Sequence, residues 1–158
     1  LMIREELIPK KDDKLAERLK NIILAIEEVL EEDSKQEFVE KKIEELNQLL
    51  EPRKRTIGIY EIQYYYSWTS LDGFVNNLAL QVPPKIELSE EEIVDLILYM
   101  QENLIKATDI EEYVFDFYHE YFYNNYSEEI YDEIFKENVN VQELAKKMKN
   151  FKKSVIAL

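Results

Sequence analysis

The stretch DDKLAERLKNIILAIEEVLEE, residues 12–32, decides how the chain is read. Leu15, Ala16, Leu19, Ile22, Ile23, Ile26, Val29 and Leu30 recur mostly three and four positions apart. That spacing draws one apolar stripe along an α-helix, not the alternation of a strand. Asp12 or Asp13 offers a carboxylate to the free N–H groups at its start. Ser34-Lys-Gln-Glu37 follows as a capping box. A second stripe of Phe38, Val39, Ile43, Leu46, Leu49 and Leu50 then runs to Pro52, whose ring lacks an N–H and stops a helix. So short a link makes the two helices an antiparallel hairpin.

The same pattern continues outward from the hairpin. Ser89-Glu-Glu-Glu92 and Thr108-Asp-Ile-Glu111 are further capping boxes, the second opening a helix through about Asn125. Ser127 and Asn140-Val-Gln-Glu143 open two more. A short helix built on Phe74, Val75 and Leu78 ends before the Pro83-Pro84 break. Between the hairpin and that helix, Tyr60, Ile62, Tyr64, Tyr66 and Trp68 alternate as a strand would, yet the segment also carries helical spacings. A lone strand has no partner for its backbone groups, so helix is preferred, with a short β element around 57–66 as the alternative. The expected fold is all-α: one compact bundle of roughly six or seven helices beginning with the hairpin. It occupies residues 1–158 as a single domain, with a subdomain boundary near 52–56.

Composition agrees. A chain of 158 residues with 46% apolar side chains can fill one core. Its 2 Gly and 4 Pro are too few for the many turns of a sandwich or barrel. With 0 Cys, disulfides, thiolate metal sites and a cysteine nucleophile are excluded. No apolar run is long enough to span a bilayer. Met2 reads as the natural start, and the residues after it lack the basic-then-apolar order of a signal peptide. A cytoplasmic location is expected.

The net charge is -14 and is unevenly spread. Residues 56–135 hold 17 acids against Lys85 and Lys106, whereas residues 136–158 are net basic, with 6 basic and 2 acidic side chains. Such a surface repels phosphate backbones and anionic membranes, so neither direct nucleic-acid nor membrane binding is expected. It attracts a basic protein and speeds the encounter. Tyr113–Tyr126 carries eight aromatic rings, more than one core-facing stripe can bury. Interleaved carboxylates make the segment acidic and aromatic together, suited to pairing with cations and stacking on guanidinium planes. The expected partner-binding residues are Glu111, Glu112, Tyr113, Asp116, Glu120, Tyr121 and Tyr123, flanked by Glu128, Glu129 and Asp132. The expected function is that of an acidic module occluding a basic partner. Its concrete form is a bacterial immunity-type inhibitor blocking the positive site of a toxin or nuclease. A regulatory helical protein whose spare rings are buried in a homo-oligomer is a further reading.

No catalytic residue, cofactor or metal site is assigned. His119 is the only histidine, so Asp116-x-x-His119 cannot complete a two-histidine di-iron bundle site within one chain. No Gly-x-Ser-x-Gly elbow or glycine-rich phosphate loop is present. Arg53-Lys-Arg55 and the lysines from Lys146 to Lys153 suit helix C-termini, where cations oppose the dipole. Glu27-Glu-Val-Leu-Glu31 resembles the first magnesium-binding motif of the all-α nucleotide pyrophosphatase family. That family places a Glu-x-x-Asp on the next helix, where this chain has Glu44-Glu-Leu-Asn47. The resemblance implies a carboxylate and divalent-metal enzyme, the alternative to the binding module. Read from the residues alone, Glu27 and Glu31 lie on the solvated face of the first helix.

Overall fold

The computed structural model describes residues 3–157, and side chains as far as residue 151. Among the described residues the chain forms eight α-helices and no strand. The fold is all-α. Contacts gather the chain into two units, Lys10–Val82 and the residues through Pro9 together with those from Pro83 onward.

In the Lys10–Val82 unit, α1 (Asp13–Val29) packs against α2 (Gln36–Leu50), α3 (Ile59–Tyr64) and α4 (Leu71–Leu78). The Asp12 carboxylate accepts from the Leu15 N–H at 3.0 Å and starts α1. Six residues of the α1 stripe are buried, from Leu15 to Ile26, against Val39, Leu46, Leu50, Ile62, Phe74 and Val75. The capping box expected at Ser34 does not form. Asp33–Lys35 closes as a 3-10 turn, α2 begins at Gln36 without a side-chain cap, and Glu37 instead faces Lys41 at 3.5 Å.

Two long-range clamps order the segment after α2. The Asn47 side chain donates to the Ile57 carbonyl at 2.9 Å and accepts from the Ile57 N–H at 2.8 Å. Arg55 donates to the carbonyls of Leu78 and Leu80, and Arg53 to that of Ala79, so these arginines satisfy the open C-terminal end of α4. Held in this way, the stretch around 57–66 turns into helix. Glu61 accepts from the Gly58 N–H at 2.8 Å at the start of α3, and Ile62 and Tyr65, three apart, point into the core.

In the other unit, α5 (Glu90–Met100) passes into a wider π turn at Gln101–Ile105. It is followed by α6 (Glu112–Asn125), α7 (Glu128–Ile134) and α8 (Val141–Ala157). α5 packs on α8, and α6 on α7. The capping box at Ser89 forms in both directions, and Glu92 also binds Arg4 at 2.5 Å. Ser127 and Asn140 cap α7 and α8. The box expected at Thr108 does not cap α6. Asp109 turns the chain with φ at 57°, and α6 starts at Glu112 after Glu111.

Candidate functional site

The residues expected to meet a partner lie on α6 and α7, with Glu111 just before α6, but they do not share one exposure. Tyr121 is fully buried, together with Phe117, Tyr118 and Phe122. Those four occupy the face set by the helical period, and Tyr118 donates to the Leu7 carbonyl at 2.8 Å. The Tyr121 hydroxyl is enclosed close to that of Tyr126, outside hydrogen-bond geometry, and burial raises its pKa. A partner has no direct access to it. Tyr113, Asp116 and Glu120 are half-buried, whereas Glu111, Glu112, Glu128, Glu129 and Asp132 are exposed and Tyr123 is 68% exposed.

Part of this set converges. Glu128 approaches His119 at 3.5 Å, and the His119 ring packs edge-on against Tyr131 at 5.2 Å. Burial, then the carboxylates of Asp116 and Asp132, push the Tyr131 hydroxyl up to about 12. Glu111, Glu112, Tyr113, Asp116 and Glu120 are each engaged in contacts of their own. The α6–α7 face is therefore acidic with one prominent ring, Tyr123. It is not the row of exposed rings expected from the sequence.

The acidic and aromatic pairing is more developed in the Lys10–Val82 unit. The end of α1 and the turn after it present Glu27, Glu28, Glu31 and Glu32, and the stretch through Tyr64, Tyr65 and Tyr66 lies beside them. Together they line an open groove of about 680 Å³, with Leu30 and Ile62 among its apolar walls. The Tyr65 hydroxyl donates to Glu27 Oε1 at 2.6 Å, while its ring stacks on Phe74 at 4.9 Å with the planes 3° apart. Burial, then this carboxylate, raises the Tyr65 hydroxyl to about 12, so it stays protonated and holds Glu27 in place. Tyr64 and Tyr66 of this lining are 44% and 70% exposed, and Tyr60 and Trp68 of the same stretch 67% and 55%. Tyr60 and Tyr64 brace one another with ring centres 4.8 Å apart. Among the described residues no Lys or Arg comes within ion-pair distance of Glu27, Glu28, Glu31 or Glu32.

The sequence offers both halves of this groove without joining them. The period of α1 leaves Glu27, Glu28 and Glu31 off its apolar stripe, and a helical register of residues 59–66 turns Tyr60 and Tyr64 away from Ile62. No sequence signal brings the second segment against the end of the first. Asn47, at the second-motif position of the pyrophosphatase resemblance, has both ends of its amide committed to Ile57. Among the described residues no three Asp, Glu or His side chains gather as a metal cluster. No family model, curated protein or solved structure matches the chain.

Proposed function

We propose that the chain is an acidic protein-binding module that occludes a basic partner. The observation that carries this reading is the groove whose four carboxylates have no cation within ion-pair distance among the described residues, beside exposed tyrosines. Exposed aromatic rings gathered in one place mark interaction surfaces, and carboxylates next to them favour a cationic partner. Tyr and Trp are also the side chains that most often anchor protein interfaces. In its most concrete form the module is a cytoplasmic immunity-type inhibitor. Its carboxylates would occupy a toxin's positive groove where phosphates otherwise lie, and its rings would exclude water from the contact. The α6–α7 acids Glu128, Glu129 and Asp132, with Tyr123, form a second negative surface of their own.

The test is capture on the immobilised chain from a lysate of the source cells. Proteins of high pI are expected to be retained at low ionic strength and released at about 0.5 M salt, where screening is short-ranged. A triple variant, E28Q/E31Q/E32Q, should retain markedly less. The reading fails if no basic protein is held at low salt, or if the variant holds it equally well. Sedimentation over a range of concentrations checks the competing occupant, a second copy of the chain.

A further inference from the structure

We infer that the groove of Glu27 and Tyr64–Tyr66 takes arginine side chains in preference to lysine. This rests on the binding-module reading and names the chemistry that the groove would recognise. Coulomb attraction to Glu28, Glu31 and Glu32 does not separate the two cations, because each carries one charge. The preference comes from what is fixed in place around the acids.

Glu27 is held by the Tyr65 hydroxyl through Oε1, and Oε2 has no partner among the described residues. Tyr65 is itself fixed by its stacking on Phe74. One carboxylate of the groove is therefore oriented before a ligand arrives, which lowers the ordering cost of binding. Tyr64 is braced by Tyr60, and Tyr66 stands nearly perpendicular to Tyr65, with ring centres 6.4 Å apart and planes at 82°. Both rings line the groove and reach solvent.

A guanidinium is planar, weakly hydrated and forked. It can lie on a tyrosine face while its N–H groups reach an oriented carboxylate. A lysine ammonium is a compact, strongly hydrated point charge that gains the charge term and makes less use of the rings. The expected occupant is thus an arginine-bearing protein segment. Electrostatics bring it in, and stacking distinguishes it.

The experiment uses the full chain and two synthetic peptides of equal length and charge, Gly-Arg repeats and Gly-Lys repeats, titrated calorimetrically at low salt. The arginine peptide should bind about fivefold tighter. In the Tyr64→Ser, Tyr66→Ser double variant that advantage should vanish, with arginine-peptide affinity falling to the level of the lysine peptide, which loses less. Both rings are exposed, so a circular-dichroism melt should confirm an intact fold. Tyr65→Phe frees Glu27 and should weaken arginine more than lysine. Equal affinity of the two peptides for the wild-type chain overturns the arginine inference and leaves the binding module standing. An arginine preference that survives the double variant places it elsewhere and also overturns the inference. Binding of neither peptide overturns both readings. Self-association that the double variant abolishes would assign the groove to a second copy, again against the inference.

Discussion

Tyr121→Ala is expected to lower the free energy of unfolding by about 3–5 kcal/mol, as removal of a large aromatic from a packed core does. The side chain has no exposed surface and packs edge-on to Phe122 at 5.6 Å and Tyr126 at 6.1 Å. Tyr123, two residues on and 68% exposed, should change stability by no more than about 0.5 kcal/mol when replaced by alanine. Tyr121→Phe separates volume from polarity. Its hydroxyl is buried outside hydrogen-bond geometry, so losing it should be neutral or stabilising by up to about 1 kcal/mol. Urea denaturation reads all three, with a shifted midpoint at constant slope identifying a stability effect. A loss of partner binding by Tyr121→Ala would then track the unfolded fraction, whereas one by Tyr123→Ala would occur in a fully folded chain. Should Tyr121→Ala cost less than about 1 kcal/mol, its assignment to the core is wrong.

What the sequence makes legible is local. The α1 stripe and the caps at Asp12, Ser89, Ser127 and Asn140 depend on groups within one helical turn, and each is realised. Ser34 and Thr108 carry the same signature and fail for local reasons as well. At Ser34 the Lys35 N–H closes on Glu32 as a 3-10 turn, and at Thr108 the next residue adopts a left-handed conformation. Capping letters do not reveal either competitor. The long-range parts are hidden from such a reading. Arg53 and Arg55 resemble dipole cations at the end of α2. Instead they donate to carbonyls 23–26 residues away, which depends on where α4 comes to rest. The aromatic run of α6 is too rich for one stripe, but composition alone does not select its buried members. The helical period does, once Phe117 and Tyr121 are seen to share a face with Tyr118 and Phe122. The groove depends on α3 packing by the end of α1, a tertiary fact absent from either segment read singly.

Replacing Asn47 should be nearly as costly as emptying the core, for a polar reason. Asn47→Ala leaves the Ile57 N–H and carbonyl without their partners in a part-buried setting, and about 2–4 kcal/mol should be lost. Asn47→Asp is the more informative change. One carboxylate oxygen can still accept from the Ile57 N–H, but the other then faces the Ile57 carbonyl, where the amide now donates at 2.9 Å. Two acceptors at that distance repel, so ionisation is disfavoured and the folded-state pKa of the introduced carboxyl rises above the usual aspartate value of about 3.9. A group whose folded pKa is raised contributes stability below its unfolded pKa and loses it as pH climbs through the folded one. The deficit of the N47D variant relative to wild type should therefore be about 2–3 kcal/mol at pH 7 and shrink toward about pH 4, where a protonated carboxyl can donate as the amide does. Paired urea titrations of both proteins at the two pH values measure this difference directly. The alanine deficit should stay constant, because alanine has no proton to bind. An N47D variant as stable as wild type at neutral pH would mean that the two hydrogen bonds to Ile57 do not hold this segment. The ordering of α3 and of the groove it lines would then need another cause.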